Sequence, residues 1–176
     1  MAWAPNFLSK KKNQLSEKWK LVTDNDNNEY SSSQQQMNEI TQFDTVEDFW
    51  NVYKSIPTVS QVEKGKEIYF VKKELKSNTA QKIILTFNQT NQNYDEIIEE
   101  MLLLVIGSSI RFYLNIKALC YSFTSKLKIV LFVENLSIEN VNDLISEIQE
   151  YLKCEFEMKF MEKESVCDCL SKTHLF

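Results

Sequence analysis

Few of the residues in this sequence that could perform covalent chemistry stand in useful company. The one histidine is His174, near the end of the 176-residue chain. A Ser-His-Asp triad, a Cys-His dyad or a histidine zinc cage would need that imidazole to meet partners from the body of the chain. No spacing in the sequence suggests such a constellation. There are four cysteines, Cys120, Cys154, Cys167 and Cys169. Cys167 and Cys169 form a C-x-C pair, which departs from the C-x₂₋₄-C of structural zinc sites, and no second ligand pair follows. Cys120 and Cys154 fall in apolar, strand-like runs, where a free thiol behaves as a small hydrophobe. The two glycines, Gly65 and Gly107, are too few for a phosphate-cradling loop or a dinucleotide fingerprint. The composition therefore points away from an enzyme, from a metal centre and from a bound cofactor.

Binding chemistry fits better. Twenty Lys+Arg against 25 Asp+Glu leave a net charge of −5, and Arg111 is the one arginine. A broad nucleic-acid surface needs a strong positive field, and bidentate grip on phosphate is mostly arginine work. Any nucleic-acid contact must then be local. The apolar fraction of 43% suits a folded domain, and no apolar run reaches the roughly 18 residues of a membrane span. Lys10, Lys11 and Lys12 follow a short apolar stretch, the reverse of a secretory signal. A soluble, cytoplasmic protein is expected.

The elements that must position these residues can be read from periodicity. The length suits one domain, able to bury roughly 70% of its unfolded surface. Glu17 to Thr23 reads as a strand, with Trp19 and Leu21 on one face. Thr23 to Gln36 is rich in Asp, Asn, Ser and Gln and reads as a long polar loop. A helix opens at Phe43-Asp44-Thr45-Val46-Glu47-Asp48-Phe49-Trp50, with Asp44 as N-cap, Glu47 as its capping-box partner and Pro57 as the stop. Strands are expected at Glu67 to Lys72 and Lys82 to Asn88. A second helix runs from an Asn93-x-x-Glu96 capping box to Gly107, placed at positive φ as the C-cap glycine. Lys117 to Thr124 and Lys126 to Glu134 read as strands, and a third helix starts at Ser137. Cys154, Phe156, Met158 and Phe160 then alternate with polar neighbours as a half-buried strand. This order implies an α+β fold, a mainly antiparallel sheet with three helices on one face. The domain limits expected are a flexible arm over 1–14, the domain over 15–164 and a weakly patterned tail over 165–176.

The stretch Phe43 to Trp50, FDTVEDFW, followed by Val52, Tyr53 and Ile56, resembles the first-helix motif of the cap-binding translation initiation factor 4E family. Lys18-Trp19 with Leu21, Ile84 to Phe87, Glu100 to Gly107 and Lys128 to Phe132 are similar to other stretches of that family, so the likeness covers roughly 15–160. It implies that the sheet is curved and that the helices pack on its convex face. It also implies that the concave face receives the 7-methylguanosine cap of messenger RNA, stacked between aromatic rings, with a carboxylate on the base edge and cations on the phosphates. Carried over residue by residue, Lys82 and Lys128 fall on phosphate-contact positions and Phe132 on that of a tryptophan touching the methyl group. Tyr30 is the aromatic nearest the first stacking position, and Glu74 is the one carboxylate in the loop 73–81 that should carry the base-edge glutamate. The first stacking position itself is Ser33, and Phe123 stands at an arginine position. Cap affinity is expected to be weak on this pattern, since a lone or non-tryptophan ring is a poorer partner for a cationic base. On the convex face the likeness implies a docking site for a helix of a factor 4G-type scaffold or a 4E-binding repressor, formed by Val46, Trp50, Glu100, Leu103 and Gly107. Glu99 takes a position that is apolar in the family. For Lys82 and Lys128 the alternative is a solvated strand end, and for Trp50 a core tryptophan. Two functions remain open: a cap-binding initiation factor, expected to be monomeric, or an adaptor or competitor that uses only the docking face.

Overall fold

The computed structural model describes residues 12–23, 38–72, 80–88 and 93–164. The chain order is β1 (Gln14–Thr23), β2 (Asn38–Thr45), α1 (Val46–Ser55), β3 (Glu67–Lys72), β4 (Ala80–Phe87), α2 (Tyr94–Ile106), β5 (Ile116–Phe123), β6 (Leu127–Val133), α3 (Ile138–Leu152) and β7 (Glu157–Glu164). The strands form one seven-stranded sheet in the order β2-β1-β3-β5-β6-β4-β7, and every neighbouring pair is antiparallel.

Period-two alternation decides which side chains face the helices. Leu127, Ile129, Leu131 and Val133 of β6 join Ile83, Leu85 and Phe87 of β4 and Phe70 of β3 in the main core. The helices complete that core with Phe49 from α1, Ile98, Met101, Leu102 and Val105 from α2, and Val141, Leu144 and Ile148 from α3. The opposite side chains of the central strands form a second apolar cluster of Val22, Tyr69, Val71, Ala118, Cys120, Val130 and Phe132. No described helix contributes to this second cluster, which forms the floor of the concave face.

Several local expectations change. The sheet gains β2, because Phe43 and Thr45 pair with β1, as partners of Trp19 and Gln14, instead of lying in the helix. The cap of α1 is Thr45, whose hydroxyl accepts from the Asp48 amide at 3.2 Å and donates to the Asp48 carboxylate at 2.7 Å. Glu47 is drawn away to Asn13, accepting from its backbone N–H at 3.0 Å and its side-chain amide at 2.9 Å. Asn93 precedes α2 without a side-chain capping bond. Gly107 has a φ of −71°, and the left-handed residue is Ser108, at 59°. The helix ends in a Schellman motif one residue later than the glycine suggests, with the Ser109 N–H on the Leu104 carbonyl at 3.0 Å. The glycine answers a different need: a Cβ on Gly107 would stand 2.4 Å from the Leu103 carbonyl oxygen. Cys154 lies between α3 and β7, half-buried and not in a strand, whereas Cys120 is buried in β5; both are free thiols. The Ser137 cap of α3 forms as expected, accepting from the Asn140 amide at 3.2 Å.

Candidate functional site

The concave face is ordered by three rows that cross the sheet. One runs Lys20, Val71, Ala118, Phe132, Lys82, Met161. The next runs Val22, Tyr69, Cys120, Val130, Ile84, Lys159, and the third Glu67, Ser122, Lys128, Thr86, Glu157. The floor is therefore apolar in the middle and charged at its sides. Of the residues expected at the cap site, Lys82 and Phe132 are direct cross-strand partners, and the Lys82 ammonium lies 5.8 Å from the Phe132 ring centroid. Lys128 shares their face two rows away, about 13 Å along the strand. Tyr30 and Glu74 lie outside the described residues, as do Ser33, Trp3, Cys167, Cys169 and His174.

Local bonds fix this face. Gln81, next to Lys82, donates to the Leu136 carbonyl at 2.9 Å and accepts from the Leu136 N–H at 3.1 Å, which pins the start of β4 to the end of β6. The Tyr69 hydroxyl donates to the Glu67 carboxylate, a buried pair on the floor that the cap motifs do not mark. Their period-two spacing on β3 is the signal that places them together. Lys20 is bonded to Glu39 at 2.6 Å, and Asn88 donates to Glu157 at 2.7 Å. Two described tryptophans are absent from this face: Trp19 is buried on the helix side, and Trp50 is on α1.

On the convex face α1 and α2 lie antiparallel, as their end contacts show. The start of α1 is tied to the first residues of the described chain by the Val46 N–H on the Asn13 carbonyl at 2.9 Å and by Lys12 on Asp48 at 2.6 Å. That same segment reaches the end of α2 through a hydrogen bond between Ser16 and Ser108. The last turn of α1 meets the first turn of α2, where the Tyr53 hydroxyl donates to the Asp95 carbonyl at 3.5 Å. Just beyond α1, the Val59 N–H donates to the Asp95 carboxylate at 2.7 Å.

The five residues expected to dock a partner occupy this helix pair. Val46, Trp50, Glu100 and Leu103 are half-buried, and Gly107 is exposed. Trp50 touches the core, packing on Phe49 at 5.2 Å and edge-on to Tyr53 at 5.8 Å between ring centroids, yet keeps part of its surface outside. The core and docking roles of Trp50 are thus compatible in one side chain.

α2 carries four carboxylates, Asp95, Glu96, Glu99 and Glu100, and no lysine or arginine. Burial first, then the charges of Glu96 and Glu99, hold the Glu100 carboxyl above its usual range, with Lys153 acting against them. Burial and then the Glu99 and Asp95 carboxylates push the Tyr53 phenol up to about 12. Sequence reading had no signal for the meeting of Tyr53 and Glu99, which depends on how the two helices pack.

The sequence model of the family described as eukaryotic initiation factor 4E matches residues 14–174. The chain belongs to that family. Its relative in Drosophila melanogaster, eukaryotic translation initiation factor 4E1, is 30% identical over 92 residues, which are 48% of this chain and 36% of that protein. The match therefore spans about a third of the relative's length. Among solved structures, schistosome eIF4E complexed with m7GpppA and 4E-BP aligns over 93% of both chains with a TM-score of 0.71 and 20% identity. Caenorhabditis elegans eIF4E-3, in complex with the 4E-binding protein Mextli and a cap analogue, aligns over 94% of this chain and 99% of its own, with a TM-score of 0.67 and 18% identity. At these identities the likeness is one of fold. Among the described residues, no helix is long and apolar enough to cross a membrane.

Proposed function

We propose that this protein is a non-enzymatic, cytoplasmic translation initiation factor of the 4E type. It binds the 7-methylguanosine cap of messenger RNA on the concave face, and it docks a helix of a 4G-type scaffold or a 4E-binding repressor on the convex face. The observation that carries the reading is the division of the family fold into two separate surfaces. A helix-free floor with Phe132 and Lys82 side by side lies behind a pair of helices that leave Trp50 and Leu103 half-exposed. The schistosome neighbour was solved complexed with both m7GpppA and 4E-BP, a precedent for binding both kinds of partner at once. In this assignment Lys82 and Lys128 hold cap phosphates, Phe132 borders the methylated base, and Tyr30 and Glu74 supply the ring and the carboxylate. Val46, Trp50, Glu100, Leu103 and Gly107 receive the partner helix. The domain spans 15–164, and the protein acts as a monomer.

Amide chemical-shift mapping tests the assignment. A 7-methylguanosine cap analogue should move the resonances of Lys82, Lys128 and Phe132 and leave those of Trp50 and Leu103 in place. Shifts confined to α1 and α2 would reject it.

A second reading, an adaptor or competitor that ignores the cap, is favoured by one observation. The described aromatic side chains in the concave floor are Tyr69 and Phe132, at 1% and 3% exposure. No shift anywhere on the concave strands at saturating analogue would select that reading.

A further inference from the structure

The outward face of α2 carries Glu96, Glu99, Glu100, Leu103 and Gly107 at helical spacing, opposite the buried Ile97, Ile98, Met101, Leu102 and Val105. Three carboxylates thus occupy the first two turns of the face, and an apolar step follows. The helix sequence contains no lysine or arginine. Elsewhere on the convex face Asp48 is bound by Lys12 and Glu47 by Asn13, while α3 carries Glu139, Asp143, Glu147 and Glu150. On α2, Glu96 stands three and four residues before Glu99 and Glu100, a neighbour of both on the helix surface; burial first, then the charges of Glu96 and Glu99, hold the Glu100 carboxyl up, with Lys153 as the opposing cation. Glu99 is half-buried and faces the Tyr53 hydroxyl across the junction of α1 and α2. It therefore sets a carboxylate one turn before Leu103 and beside Tyr53, whose ring packs on that of Trp50 at 5.8 Å. An apolar side chain laid over Glu99 would desolvate a carboxylate with only the Tyr53 hydroxyl to compensate, whereas a cation there would relieve the crowding.

Resting on the reading of this face as a helix-docking surface, we infer that its partner is a basic amphipathic helix. That helix lays apolar side chains on Trp50 and Leu103 and presents a lysine or arginine to Glu99, which makes Glu99 the residue that sets partner specificity. Charge complementarity identifies the occupant: three clustered carboxylates beside an apolar step fit a helix with cations flanking its apolar ridge.

The test uses two synthetic helical peptides with one apolar ridge, flanked by lysine and arginine in the first and by glutamine in the second. Anisotropy titrations are run on wild type, Glu99→Gln, Glu99→Leu and Trp50→Ala, each checked for folding by circular dichroism. At about 50 mM salt the basic peptide should bind wild type at least about tenfold more tightly, and its advantage should shrink at about 300 mM. Glu99→Gln should reduce that advantage to about threefold or less, and Glu99→Leu should strengthen the glutamine peptide. Equal binding of both peptides to wild type, lost in Trp50→Ala, would overturn the inference while leaving the docking surface intact. An advantage unchanged in Glu99→Gln would remove Glu99 from its role. If neither peptide bound folded wild type, the docking reading would fail and this inference with it.

Discussion

Lys72 is a side chain whose chemistry is strongly altered by the fold. It ends β3 on the helix side at 5% exposure, with its ammonium 5.4 Å from the ring centroid of Trp19 and 5.7 Å from that of Tyr113. It donates to the Tyr113 carbonyl at 2.9 Å. Burial lowers its pKa from 10.5 to about 8, against the pull of Glu17. Between about pH 8 and 10.5 the unfolded chain therefore binds the Lys72 proton more than the folded one does, so this group adds stability as pH rises through that window. Urea unfolding at pH 7.5 and pH 9.5 should show wild type gaining stability relative to Lys72→Met. A constant difference between the two proteins would refute the assignment. The comparison must be relative, because burial raises the Cys154 thiol, which works in the opposite direction across the same range. At this scale three of the residues expected from sequence at the proposed cap site lie on the described sheet. The family resemblance named Lys82, Lys128 and Phe132, and the pairing of β4 with β6 sets them on one face. The Tyr53–Glu99 meeting joins residues 46 apart in the chain, and local patterning carries no information about such a pair.

Elements were legible where their signals were local. All three helices carry 3.6-residue periodicity, and α3 also carries a serine cap that forms as read. β2 was missed because it is an edge strand: Ile40 is 56% exposed, Phe43 alone anchors it in the core, and so no apolar alternation shows. Its presence shifts the helix start by one residue and transfers the cap from Asp44 to Thr45. Thr45→Ala should therefore cost about 1 kcal/mol in denaturant unfolding, and Asp44→Ala much less. The reverse ranking would restore the boundary suggested by sequence. Gly107 teaches a similar lesson. A helix-ending glycine suggested positive φ, but close approach to the Leu103 carbonyl, a backbone contact invisible in sequence, explains the residue instead.

At the scale of the whole molecule, one sheet separates two surfaces of different character. The helix side contains the main core and an acidic, partly apolar outer face formed by α1 and α2. The other side presents an apolar floor bordered by lysines, with aromatic rings but no described tryptophan. Family membership accounts for the architecture, while the substituted rings and Glu99 distinguish this chain from the general pattern. The composition agrees with the proposed function: a net charge of −5 with one arginine leaves little room for broad RNA contact, which suits a compact ligand held by a few groups.

Calorimetric titration of the intact chain with a 7-methylguanosine cap analogue and its unmethylated counterpart tests the central claim most directly. The account predicts measurable binding with a clear preference for the methylated form, since a cationic base gains attraction from aromatic faces that a neutral base does not. Equal affinity for the two forms, or no heat from either, would contradict it.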